Sequence, residues 1–329
     1  MPRILLTAVL TTAFIFAAAA DARAWDDVGH RLTAYIAWQN MTPAARENAI
    51  RILRLAPGDS DIATFYVMYS PGPIEARNRA YFELIATWAD IVRNFGMAPE
   101  GRRIFEDRYK KYHRGNWHYD DFFWKQVDGK AEIVDHPEDG GVAIKKLAEF
   151  DRVLLDPKAD EEKKAIAIAW IMHIIGDIHQ PLHTSGRITD LEPKGDQGGN
   201  LFVLSPANTP RNEQLNLHWF WDSIIPNMIP YGKEPCGQAY IESIGNRIMK
   251  KYPLKEVRGR LEPGEFEKWK RESFDLVPAN VFTPDLKRNE TPSAKYKRNA
   301  LRVAEGQLAM AGYRLAETLN AGLGQPAAK

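Results

Sequence analysis

Two histidine–aspartate pairs stand out in the chain, His173-Ile-Ile-Gly-Asp177 and His218-Trp-Phe-Trp-Asp222. Residues four apart lie on one face of an α-helix, so each pair can aim an imidazole nitrogen and a carboxylate oxygen at a single cation. His179 and His183 are also four apart, but Pro181 stands between them. Proline ends a helix, so His183 is expected on a loop just beyond the helix that carries His173. Imidazole and carboxylate together suit zinc. The one cysteine excludes an intramolecular disulfide framework and every cysteine-based zinc cluster. No G-x-S-x-G occurs, and Cys236 lies far from these motifs, so serine or cysteine hydrolase chemistry has no support.

These groups need a frame, and the pattern around them is helical. Apolar residues recur at three- and four-residue spacing over 32–40, 42–55, 76–94, 142–155, 160–176, 217–225, 238–251, 263–274 and 293–319. The best strand signal, 200–205, is short. Gly- and Pro-rich connections fall at 70–73, 186–199 and 226–237, with no internal repeat. With 329 residues, 44% of them hydrophobic, the chain can bury a large core and is not disordered. No composition shift marks a boundary. The expectation is an all-α, single compact multi-helix domain with at most a small hairpin or short strands. The formal net charge of +1 excludes a uniformly basic nucleic-acid-coating protein, though not an enzyme that meets nucleic acid in one cleft.

The first residues read as a signal peptide. Arg3 precedes an apolar run over 4–20, and Ala22-Arg23-Ala24 fits the small-x-small cleavage rule. The expected division is therefore 1–24 as signal peptide and 25–329 as the mature domain, exported to the periplasm or medium without a membrane anchor. Its first residue would be Trp25.

In chain order come Trp25-Asp-Asp-Val-Gly-His30, Trp88-Ala-Asp90, Trp117-His118-Tyr119, His173-Ile-Ile-Gly-Asp177-Ile-His-Gln-Pro-Leu-His183, Gly195-Asp-Gln-Gly-Gly-Asn200 and Asn216-Leu-His218-Trp-Phe-Trp-Asp222. This ordered set resembles the S1/P1 nuclease family of the zinc phospholipase C superfamily. The resemblance implies three Zn²⁺ per chain: one held by Asp90, His118, His173 and Asp177; a second by His183, His218 and Asp222; a third by Trp25, His30 and Asp177. Trp25 would bind through its α-amine and its own carbonyl, a chelate that cannot form while that nitrogen is an amide. Arg93, one helical turn from Asp90, matches the family's catalytic arginine, with Asp90 beside it. Tyr119 matches a base-stacking aromatic and Asp121 a base-reading carboxylate; between them Asp120 stands where family members usually carry an aliphatic residue. Asn200 would mark a close backbone approach to the metals. His113, His136 and His179 have no ligand role in the family and read as structural or surface residues.

The implied reaction is zinc-dependent cleavage of single-stranded DNA and RNA to 5′-phosphorylated products, with 3′-nucleotidase activity. A hydroxide between two zincs would attack phosphorus while the third zinc takes charge on the leaving 3′ oxygen. Nucleic acids and nucleotides would be the partners, and no stable protein partner is implied. A phospholipase C of the same superfamily is the nearest alternative, but that branch carries Glu where this chain has Asp222 and places its first histidine further from the N-terminal Trp. A non-catalytic zinc-binding protein is the alternative of another class. Such a protein needs no Arg93, and a purely structural site would be closed by four protein ligands.

Overall fold

The computed structural model describes residues 25–66, 73–94, 106–128, 130–230 and 237–324. The expected signal peptide, and Cys236 with it, lies outside them. Fourteen α-helices form among the described residues. They are α1 (Asp27–Asn40), α2 (Pro43–Leu53), α3 (Ile62–Phe65), α4 (Ile74–Ile85), α5 (Trp88–Asn94), α6 (Glu106–Tyr112), α7 (Ala143–Leu155), α8 (Glu161–Asp177), α9 (Leu217–Asp222), α10 (Ile224–Met228), α11 (Gln238–Lys251), α12 (Leu254–Val257), α13 (Phe266–Asp275) and α14 (Ala294–Leu323). The protein is mostly α-helical, as expected.

Helix α1 is the central strut. Every residue from Val28 to Trp38 is buried, so it has no solvent face, and it packs on α14, α11, α4 and α8. Trp38 and Ala34 join one apolar cluster with α2, α4, α7 and α8, while Leu32, Tyr35 and Ile36 join another with α11 and α14. The metal-type residues of α1 and α8 thus sit where two cores meet. Local chemistry starts these helices. The Asp26 carboxylate accepts the Gly29 N–H at 3.0 Å, Asp160 accepts that of Lys163 at 3.1 Å and Asn216 that of Trp219 at 2.7 Å. Arg314, buried in α14, donates to His179 Nε2 at 2.9 Å and to Glu272 at 2.7 Å, fastening the turn after α8 to α13 and α14.

The departures from expectation are local. The helix expected over 76–94 breaks into α4 and α5. Thr87 Oγ1 donates to the Leu84 carbonyl at 2.8 Å, a side-chain bond that competes with the helical ladder. The helix expected over 217–225 breaks at Ser223, between α9 and α10. Residues 200–205 form no strand; Val203 makes only an isolated bridge to Asn216. The strands are instead β1 (Phe122–Val127), β2 (Lys130–Ile133) and β3 (Ser185–Arg187), in the order β2-β1-β3. β1 pairs antiparallel with β2 and parallel with β3, with Phe122 opposite Ser185. That second pairing joins the segment after His118 to the segment after His183.

Candidate metal centre and adjoining pocket

Helix α8 ends at Asp177, and Pro181–Thr184 make a 3₁₀ turn that carries His183. Asp177 is completely buried and its two oxygens diverge. Oδ1 lies 3.2 Å from His30 Nε2, while Oδ2 lies 3.2 Å from His118 Nδ1 and 3.4 Å from His173 Nε2. Neither oxygen accepts a hydrogen bond. His118 Nδ1 and His173 Nε2 face each other at 3.0 Å, and Asp90 Oδ1 stands 4.0 Å from His173 Nε2. On α9, His218 Nε2 is 3.4 Å from Asp222 Oδ2, and His183 Nε2 is 3.8 Å from Asp222 Oδ1. Three groups can therefore each hold a metal ion: His30, His173 and Asp177; Asp90, His118 and His173; and His183, His218 and Asp222.

The surrounding backbone aims the rings. His173 Nδ1 donates to Ala86 O, His183 Nδ1 to His118 O and His218 Nδ1 to Gly198 O, each at 2.7 Å. Each bond fixes the tautomer and turns Nε2 inward as a lone pair. Ala86 O is free for this because the chain breaks between α4 and α5. Gln180 Nε2 donates to Asp222 Oδ1 at 2.8 Å; this partner sits inside the recognised motif yet was not singled out from the sequence. His30 stacks on His173 with centroids 3.9 Å apart, leaning against Gly176, where a Cβ would come within 2.8 Å of His30 Nδ1. Trp25 is fully buried, its Cβ 2.7 Å from where a side chain on Gly29 would begin, and Asp26 N donates to Asp222 O at 3.1 Å. The segment before α1 is thus tied to α9.

Burial dominates the electrostatics. It pushes the Asp177 carboxyl well above the usual range, with Asp90 and Asp222 adding to the rise, and pushes Asp222 up to about 8. It pulls His30 and His118 well below the ordinary imidazole value and His173 down to about 3. Burial thus disfavours the charged form of either group, whereas a bound cation favours both carboxylate and neutral imidazole. The unpaired oxygens of Asp177 and the inward lone pairs fit a metal.

A cavity of about 530 Å³ opens beside these groups, lined among others by Arg93, Tyr119, Asp121, Leu182, Asn200 and His218. Arg93 Nη2 lies 3.2 Å from Asp90 Oδ1. Asp120 and Asp121 face opposite ways. Asp120 caps α7 through the Ile144 N–H at 3.1 Å and pairs with Lys270, whereas Asp121 lines the cavity. The close backbone approach expected at Asn200 is made by Gly198, at φ +61°; a Cβ there would meet Leu182 O at 2.5 Å. Asn200 instead lines the cavity and accepts from Asn216, the cap of α9, at 3.3 Å. His113, expected to be merely a structural or surface residue, also lines the cavity, stacked on Tyr109, whereas His136 packs behind the wall on Phe123 and meets Pro193 O. No spacing signal marks His113. His179, by contrast, is spent on Ile175 O and Arg314.

Comparison with known proteins gives the family. The S1/P1 nuclease family matches residues 25–324. Nuclease S1 of Aspergillus oryzae is 26% identical over 342 residues, covering 99% of this chain and 100% of that protein. Nuclease P1 of Penicillium citrinum is 22% identical over 311 residues, covering 90% of this chain and 97% of its own. Endonuclease 5 of Arabidopsis thaliana is 29% identical over 175 residues, 47% of this chain and 50% of that protein. The family match runs from the buried Trp25 to the end of the last helix, through every group that faces the cluster, and this chain belongs to the S1/P1 nuclease family of nucleic-acid hydrolases.

Proposed function

We propose that this nuclease uses three zinc ions to cut single-stranded DNA and RNA, leaving 5′-phosphates, and that it also removes the 3′-phosphate of nucleotides. One observation carries the reading: the two oxygens of Asp177 diverge toward separate buried histidine groups, beside a cavity of about 530 Å³ that has an aromatic and a carboxylate in its wall. Asp90, His118, His173 and one oxygen of Asp177 would hold the first zinc; His183, His218 and Asp222 the second; His30, the other oxygen of Asp177 and the amine and carbonyl of Trp25 the third. Bound zinc supplies Lewis acidity toward phosphate and lowers the pKa of water. The protein's own groups do the rest. Arg93 places its guanidinium against a phosphoryl oxygen, with Asp90 holding it in register. Tyr119 offers a stacking face and Asp121 a polar contact to one extruded base, which a duplex would keep hidden. The site with three protein ligands leaves a position for substrate. The amine of Trp25 exists only after cleavage behind Ala24, so export and activation would be coupled; among the described residues no helix is long and apolar enough to cross a membrane.

The test is elemental analysis of protein starting at Trp25, together with hydrolysis of single-stranded and duplex substrates. About three zincs per chain and a strong preference for single strands are expected. Full activity in zinc-free protein would end this reading.

A further inference from the structure

Asp121 lies in the cavity wall beside Tyr119, where the proposed function seats a base. Its Oδ1 is closed to solvent and accepts no hydrogen bond, while the carboxylate takes one from the Ser185 N–H. The charges near it are mostly of its own sign. Asp120 precedes it, and Asp196 approaches from the glycine-rich loop with one oxygen that likewise accepts no hydrogen bond. Lys270 reaches over from α13 but is committed to Asp120. Glu138 and Asp139 also line the cavity, where Lys194 is paired with Glu138, and Arg187 leans toward Asp196. Burial, then Asp196 and Asp120, hold the Asp121 carboxyl well above the usual carboxylate range. Its proton therefore leaves at a higher pH than that of an exposed aspartate.

We propose that Asp121 makes base selection depend on its own proton: neutral, it admits any base, and ionised, it selects guanine. This rests on the single-strand nuclease reading above. Every base carries a donor next to an acceptor on its Watson–Crick edge, and a neutral carboxyl, which both donates and accepts, can meet that pair on any of them. A carboxylate only accepts. In adenine and cytosine the amino N–H adjoins a ring-nitrogen lone pair, and in uracil and thymine the imino N–H lies between two carbonyls, so the negative charge is repelled. Guanine alone offers two adjacent donors, N1–H and the 2-amino group. Hydrogen bonds to an ionised acceptor are stronger than neutral ones, and guanine collects that gain. Stacking on Tyr119 does not distinguish the bases in this way.

The experiment measures kcat/KM of the zinc-loaded protein for the dinucleotides ApA and GpG. The pH series runs from above about pH 5, where ordinary carboxylates have finished titrating, to below the point at which guanine loses its N1 proton. Metal and phosphate chemistry is common to both substrates and cancels in the ratio. The GpG/ApA ratio is expected to rise with pH by roughly tenfold. In Asp121→Asn, whose amide keeps a donor and an acceptor without charge, the ratio is expected to stay flat. A flat ratio in the unsubstituted protein, or a rise that survives in D121N, overturns the proposal. Should the variant fail to fold, the unsubstituted protein alone decides. Hydrolysis of neither dinucleotide at any pH would instead sink the nuclease reading, and this one with it.

Discussion

Asp177 sends one oxygen to His30 and the other to His118 and His173, so it connects α1, α8 and the loop before β1 through a single carboxylate. An amide at this position keeps the shape and loses the charge, and its nitrogen would face an imidazole lone pair instead of a metal. Asp177→Asn is therefore expected to lower activity by roughly a hundredfold or more. It should also lower the zinc content by at least one ion per chain. Metal analysis and turnover on the same sample check both; turnover like that of the unsubstituted protein would refute the bridging role. Asp120 and Asp121 make the complementary point. Two adjacent acids have opposite fates because the chain is extended there, and extended chain alternates its side chains.

At the level of elements, α8 can press its last turn against α1 only because Gly176 has no side chain. A Cβ there would stand 2.8 Å from His30 Nδ1 and 3.0 Å from its Cε1. His30 is held on its other face by the His173 ring, so it has little room to retreat. Gly176→Ala should push His30 away from Asp177 and weaken the zinc proposed to bind there with Trp25, while His183, His218 and Asp222 keep theirs. Zinc titration should show one weakened site of three, with activity reduced; three sites of unchanged affinity would show that the contact is soft. The break between α4 and α5 works the other way. There a helix gives up a backbone bond so that Ala86 O can accept from His173.

Taken whole, the single cysteine allows no intramolecular disulfide, and the metal-type residues draw together α1, α5, α8, α9 and two loops. Ions bound to the folded state alone stabilise it by mass action, and their removal would leave buried carboxylates clustered together. Chelation with EDTA is expected to lower the melting temperature by many degrees, and added zinc to restore it. An unchanged melt, with zinc loss verified, would show that the metals do not staple the fold. The proposed start of the processed chain at Trp25 gives a sharper outcome. One extra residue ahead of Trp25 turns the amine into an amide, whose delocalised lone pair is a poor zinc ligand. Such protein should fold, hold about two zincs and lose most activity, and proteolysis back to Trp25 with added zinc should restore it. Equal zinc content and activity in both forms would leave Trp25 a packing residue only.

The pairs His173/Asp177 and His218/Asp222 could be read from the sequence, because a helix sets which residues share a face within a single turn. Pro181 likewise announced that His183 leaves the helix, since a proline's effect on its own backbone is local. The mostly helical class followed from periodicity. What tertiary structure decided is everything carried by contacts between distant segments. The strand expected over 200–205 did not form, while Ser185–Arg187, too short to signal itself, became a strand because β1 was beside it to pair with. That pairing sets Asp121 and Phe123 in one wall of the cavity. His113 lines the cavity without any motif, for nothing in its own neighbourhood records what folds against it. Even the helix break at Thr87 has its use only through His173, 86 residues further along, because a hydrogen-bond acceptor is defined by the donor that reaches it.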